Sequence, residues 1–66
     1  MTVIVNGEQR QVDEDATVAT VVESVTREAS GVAVALNGTV VSRGDWESTP
    51  VGDSDRIEVL SAVQGG

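Results

Sequence analysis

The sequence lacks five residue types that carry much of protein chemistry, since its 66 residues include no Cys, His, Lys, Tyr or Phe. Without Cys it can form neither a disulfide nor a thiolate metal site. Without His it lacks the side chain that most often exchanges protons near neutral pH. Carboxylates and hydroxyls are left for acid–base or nucleophilic work. A stand-alone catalyst is therefore the least favoured class, and we expect no bound cofactor and no metal.

Positive charge is also scarce, because four arginines face eleven Asp and Glu residues and the net charge is −7. Nucleic acids and anionic membrane surfaces attract basic patches, so this balance argues against both as partners. It suits a basic protein surface, although plain solubility is the simpler explanation. Apolar runs of membrane-spanning length and a signal peptide before the first strand are both missing. We expect a cytoplasmic protein that is a monomer on its own.

The apolar residues are mostly valines, 14 in number, with six alanines, two leucines, two isoleucines and Trp46. A chain of this length forms one domain and buries only about 60% of the surface that its unfolded form exposes. At roughly 1.5 kcal/mol for each buried valine, a dozen such side chains just support a compact fold against the entropy of ordering it. We expect Trp46 to lie in the core or at its edge.

Two Asn-Gly pairs predict two β-hairpins. Asn6-Gly7 lies within TVIVNGEQRQV, and Asn37-Gly38 lies within VAVALNGTVVS, so each pair separates two short strand-like runs. Asn-Gly is the commonest pair in two-residue hairpin turns because both positions require a positive φ, which these residues tolerate.

The segment between the hairpins predicts a helix over residues 18–29. Thr17 is the expected N-cap and Gly31 the expected C-terminal cap. Valine is a mediocre helix former, so this helix should depend on its packing. Its apolar positions recur at the helical spacing i, i+3, i+4 and i+7: Val18, Val21, Val22 and Val25.

The last strand is predicted in RIEVLSAV, after a loop rich in Gly, Pro, Ser and Asp. The GDSD segment of that loop is better explained as a turn with side-chain-to-backbone hydrogen bonds than as a cation site. The order hairpin, helix, hairpin, loop, strand predicts a two-layer α+β fold: a mixed sheet of four to five strands with one helix packed across one face. The first and last strands would pair in parallel near the centre.

That order is the β-grasp, or ubiquitin-like, arrangement. The segments VALNGTVVSRGDW, GDSDRIEVL and above all the terminal AVQGG resemble the small sulfur carrier protein of thiamine biosynthesis, the ThiS family. The resemblance runs from the opening VNG hairpin to the final glycine. Two terminal glycines alone are weak evidence, with a chance frequency of about 1 in 200, but they gain weight from the strand order and the short length.

The resemblance implies that the chain is not an enzyme but a protein co-substrate. The carboxylate of Gly66 would be adenylated by a ThiF-like enzyme that uses ATP, then converted to a thiocarboxylate with sulfur from a persulfide protein. Thiazole synthase would receive the sulfur. A bare carboxylate, with a pKa near 3.5, is anionic and a poor electrophile, so activation must come first.

Residues 1–61 are predicted to form the β-grasp domain and residues 62–66 a flexible arm. Glycine has no Cβ, so Gly65 and Gly66 would let phosphate and sulfur approach the activated carbonyl closely. The rest of the arm that would enter a partner's active site is Ala62, Val63 and Gln64. If Ile57 and Val59 point into the core, Leu60 is out of phase with them, and Leu60 and Glu58 become a candidate docking surface.

Two alternatives stay open. The same fold serves carriers of sulfur for molybdopterin synthesis, which look longer and often place prolines before the final glycines. A ubiquitin-like modifier that is conjugated to lysines of other proteins would also end in Gly-Gly.

Overall fold

The computed structural model describes residues 1–26 and 31–61. These ranges form a single five-stranded sheet in the order β2-β1-β5-β3-β4, with one α-helix and a 3-10 helix. The central strands β1 and β5 are parallel, and both hairpins are antiparallel. The predicted mixed sheet with one helix is confirmed. The elements are β1 (Thr2–Val5), β2 (Glu8–Gln11), α1 (Val18–Val25), β3 (Val32–Leu36), β4 (Thr39–Val41), the 3-10 helix (Arg43–Asp45) and β5 (Arg56–Ser61).

Both hairpins turn on the predicted Asn-Gly pairs. Asn6 has φ 50° and Gly7 has φ 84°, and the second turn repeats these values with φ 51° at Asn37 and 84° at Gly38. Two successive positive φ values give the turn type whose twist matches that of the flanking strands. The turns thereby fix the register of each hairpin, and the asparagine side chains also bond to the central strand β5.

Helix α1 begins at the predicted cap and buries the predicted stripe. The Thr17 Oγ1 accepts a hydrogen bond from the Thr20 N–H, and the Thr20 Oγ1 accepts one from the Thr17 N–H, so two of the free donors at the helix start are satisfied. Three of the four valines in the stripe are buried and the fourth is half-buried. Packing against the sheet therefore supplies the stability that valine's low helix propensity does not.

The helix ends earlier than predicted. Its last residue is Val25, and Thr26 is already extended, with φ −145° and ψ 147°. The predicted end at Ala29 is therefore wrong, and Gly31, whose φ is 73°, lies too far beyond the helix to cap it. Val25 is the last residue of the apolar stripe. A helix held by packing ends where its packed face ends.

The core fills the space between α1 and one face of the sheet. Trp46 closes one edge of it, as predicted: the ring is buried, and its Nε1–H donates to the Val41 carbonyl oxygen over 3.0 Å. This bond satisfies the indole N–H, which would otherwise be buried without a hydrogen-bond partner. The buried core residues are Val3, Val5, Ala16, Val18, Val21, Val22, Val34, Trp46, Val51, Ile57 and Val59.

The GDSD segment is a hydrogen-bonded turn, as predicted. The Thr2 N–H donates to Asp53 Oδ1 over 3.0 Å, and the Gly52 N–H donates to Asp55 Oδ2 over 2.6 Å. Within the described ranges, no group of three or more Asp and Glu residues is placed to hold a metal ion. No helix in the same ranges is long and apolar enough to cross a membrane.

Candidate functional site

Strand β5 presents alternate residues to the two faces of the sheet. Ile57 and Val59 point into the core, while Glu58 and Leu60 are exposed on the face opposite α1. Leu60 keeps 67% of its surface exposed. The expectation that Leu60 faces outward is therefore met. The alternation follows from the period of two in a strand, which cannot bury Val59 and Leu60 on the same side.

The neighbouring strands add apolar side chains beside Leu60. Ala33 of β3 lies opposite Leu60, and Ala35 lies opposite both Glu58 of β5 and Val40 of β4. Val40 is 76% exposed. We call Ala33, Ala35, Val40 and Leu60 the outer patch. Its residues line a shallow depression of about 100 Å³, to which the Glu58 side chain adds a carboxylate.

The outer patch is open rather than concave, which suits protein docking better than capture of a small molecule. Small-molecule sites usually enclose several hundred Å³, whereas this depression holds about 100 Å³. Within the described ranges, Val40 and Leu60 are the two large hydrophobic side chains that are mainly exposed. Exposed apolar side chains that are grouped on one face form a candidate contact surface for another protein. Glu58 would favour a partner that brings an Arg, a Lys or a backbone N–H to this point.

The outer patch lies beside the end of β5, where the predicted C-terminal arm, residues 62–66, begins. β5 runs to Ser61 between β1 and β3, and Ser61 is in register with Val32 of β3. Because β3 pairs with β5 as far as this residue, the sheet can fix the point at which the following chain departs. The predicted tail residues lie outside the described residues: Ala62, Val63, Gln64, Gly65 and Gly66.

Sequence reasoning missed part of this surface. It identified Leu60 and Glu58 from the alternation along β5, but not Val40, whose place beside them depends on the pairing of β3 with both β4 and β5. A signal was present in VALNGTVV, because a two-residue turn sets Ala35 opposite Val40. That signal places Val40 beside Leu60 only after β5 is known to pair with β3.

The described residues define a small β-grasp protein: a mixed five-stranded sheet with one helix across one face, parallel central strands and the exposed apolar outer patch beside the end of the last strand. The chain belongs to the ThiS family, whose model matches residues 3–66.

Two solved structures are similar to it along most or all of its length. A crystal structure of the thiamine biosynthesis protein ThiS from Geobacter metallireducens is 35% identical, with a TM-score of 0.81 and coverage of 100% of both chains. A solution NMR structure of a thiamine biosynthesis protein from the same organism is 33% identical, with a TM-score of 0.74 and coverage of 91% of this chain and 81% of that one. Among curated proteins, none matches.

Proposed function

We propose that this protein carries sulfur for the thiazole moiety of thiamine, as a co-substrate of partner enzymes rather than as a catalyst. Membership of the ThiS family, together with the full-length similarity to a thiamine biosynthesis protein, supports a sulfur carrier role in that pathway. The observation that carries the proposal is that the family match runs through Gly65 and Gly66. The terminal AVQGG, which resembles the reactive end of the family, is therefore part of a match that covers residues 3–66.

The proposed chemistry takes place at the α-carboxyl group of Gly66. One carboxylate oxygen attacks the α-phosphorus of ATP on a ThiF-like enzyme, pyrophosphate leaves, and a mixed acyl-phosphate anhydride forms. The terminal sulfur of a persulfide protein then attacks the acyl carbon and displaces AMP. A thiol cleaves the resulting acyl disulfide, so that a thiocarboxylate remains on the chain and a disulfide forms between the thiol and the donor cysteine. Thiazole synthase takes the sulfur from the thiocarboxylate.

The residue types of this chain agree with a passive role in these steps. The sequence has no His, Cys, Lys or Tyr that would serve as base, nucleophile or persulfide carrier. What it offers is a terminal segment in which Gly65 and Gly66 add no side chain near the reacting carbonyl. A narrow partner site then admits the carboxyl group without a Cβ in the way.

The outer patch is the proposed docking surface for the adenylating enzyme. Leu60 and Val40 supply apolar area, and Glu58 supplies a charge that fixes orientation. Because Leu60 lies only one residue before the last residue of β5, an enzyme that covers the patch also lies beside the point from which the tail departs. Docking there brings the carboxyl group close to ATP and replaces a free encounter by an intramolecular one.

The test is the mass of the C-terminal fragment after reaction. The native chain is incubated with a ThiF-like adenylating enzyme, ATP and a persulfide donor, then digested. Replacement of one oxygen by sulfur in the fragment that ends at Gly66 supports the proposal. The fragment is needed because oxidation of Met1 changes the intact mass by nearly the same amount.

Two variants sharpen this test. Deletion of Gly66, and extension of the chain beyond it, should each abolish loading while leaving thermal unfolding unchanged. Normal loading of the extended chain would overturn the free-carboxyl mechanism. Attachment of the native chain to lysines of other proteins would instead indicate a modifier, and transfer of its sulfur to a molybdopterin precursor would indicate the other carrier class.

A further inference from the structure

Strand β5 is longer than the strand that pairs with it in parallel. The β1–β5 register ends at Val5 opposite Ile57, because the chain leaves β1 at the Asn6-Gly7 turn. β5 continues to Ser61, with β3 alongside as far as that residue. After Ile57, the main chain of β1 no longer supplies a strand on that side of β5.

The side chain of Asn6 takes the place of the missing strand. Its Oδ1 accepts a hydrogen bond from the Val59 N–H over 2.9 Å, and its Nδ2–H donates to the Val59 carbonyl oxygen over 3.2 Å. The Asn6 carboxamide thus bonds both the N–H and the carbonyl oxygen of Val59, as the main chain of a neighbouring strand would. The Asn6 backbone N–H also donates to the Ile57 carbonyl oxygen over 2.9 Å. Asn6 therefore continues the hydrogen bonding on the β1 side of β5 from Ile57 to Val59.

The other hairpin provides a matched contact at the opposite end of β5. Asn37 has the same backbone conformation as Asn6 and is also followed by a glycine at φ 84°. Its Oδ1 accepts from the Arg56 N–H over 3.0 Å, and its Nδ2–H donates to Asp55 Oδ1 over 3.2 Å. Both turns therefore hold β5 through an asparagine amide, Asn37 where the strand begins and Asn6 two residues before it ends.

We propose that the Asn6 side chain is a positioning group for the C-terminal tail. By holding Val59 on the β1 side, it fixes the direction in which β5 delivers the chain beyond Ser61 toward the adenylating enzyme. Without it, Val59 is held through its pairing with β3 and its packing in the core, and the strand delivers the following chain over a wider range of directions. Fewer of these place the terminal carboxyl group at ATP, so the chemical step slows. This inference rests on the proposed function.

The expected signature is a loss in kcat with little change in KM. The outer patch lies on the exposed face of β3, β4 and β5, whereas the Asn6 amide bonds the main chain of Val59, whose side chain is buried on the opposite face. Docking should therefore survive the loss of a contact on the β1 side. A hydrogen bond of ordinary net strength corresponds to about a two- to tenfold effect, and a kcat decrease of about that size is expected.

The experiment compares Asn6→Gly with Asn37→Gly. Glycine keeps the positive φ of the turn and removes only the amide, so each variant loses two side-chain hydrogen bonds at one end of β5. Pyrophosphate release by the adenylating enzyme is measured as a function of carrier concentration, below the onset of unfolding for each variant. Asn6→Gly should lower kcat about two- to tenfold, and Asn37→Gly should leave it near the native value.

Amide hydrogen exchange of the isolated chain gives an independent readout. Asn6→Gly should speed exchange at Val59 by more than at Arg56, and Asn37→Gly should do the reverse. If Asn6→Gly does not fold, Asn6→Asp replaces it, since it keeps the Oδ1 acceptor and removes the Nδ2 donor. Equal kcat values for the two variants, or a change in KM alone, would overturn the role of Asn6. If the native chain itself is not adenylated, the proposed function fails, and the exchange data still decide whether Asn6 holds Val59.

Discussion

Replacing Leu60 by serine should weaken docking strongly while changing stability little. Complete burial of a leucine side chain is worth about 1.5–3 kcal/mol. Leu60 is 67% exposed in the free protein, so roughly two-thirds of that value, about 1–2 kcal/mol, is available to a partner. The Kd for the adenylating enzyme should therefore rise about 5- to 30-fold. The remaining third of the Leu60 surface is already buried in the free protein, so the free energy of unfolding should fall by at most about 1 kcal/mol.

Isothermal titration of the carrier into the adenylating enzyme, without ATP so that no reaction follows, measures this change. The matched control is Gln9→Ser, an exposed polar residue on edge strand β2, which β1 separates from β5 and its Leu60. Its Kd should equal the native value. A Leu60→Ser variant that binds as tightly as the native chain would refute the assignment of the outer patch. A loss of binding accompanied by unfolding at the same temperature would refute the claim that Leu60 contributes little to folding.

Two further predictions concern folding, each followed by urea denaturation with the fluorescence of Trp46, the single Trp of the chain. Thr17→Ala removes the cap that accepts the Thr20 N–H and should lower the free energy of unfolding by about 1 kcal/mol; no change would mean that the capping box is not formed. Gly38→Ala should destabilise by about 1–2 kcal/mol through its positive φ alone, because nothing lies within 4 Å of the added Cβ. Gly44→Ala has equally open space without a positive φ, and should be neutral or slightly stabilising. Equal effects at the two glycines would contradict the backbone argument.

The sequence predicts the strand and helix content well because its strongest signals are local. An Asn-Gly pair between apolar runs has few solutions other than a tight hairpin, and both pairs adopt the expected positive φ values. The valine stripe at helical spacing likewise identified the face of α1 that packs on the sheet, and Thr17 identified where the helix begins. Each of these signals depends on residues within one turn or one strand of each other.

The features that sequence reasoning missed depend on contacts between distant segments. Asn6 was predicted as a turn residue, but its amide also bonds Val59, 53 positions away in the sequence. Val40 joins the outer patch because β3 pairs with β5 as well as with β4. The helix end was misplaced because Thr26, directly after the last valine of the stripe, is already extended, which the local pattern does not indicate. In all three cases tertiary packing, not local preference, decides the outcome.

The most direct test of the carrier role follows labelled sulfur. The native chain is loaded from a radiolabelled persulfide donor with ATP and the adenylating enzyme, purified, and mixed with thiazole synthase and its other substrates. A sulfur carrier of thiamine biosynthesis should lose the label from its C-terminal fragment as an equal amount appears in the thiazole product. Label that stays on the chain while thiazole forms from another sulfur source would contradict the account.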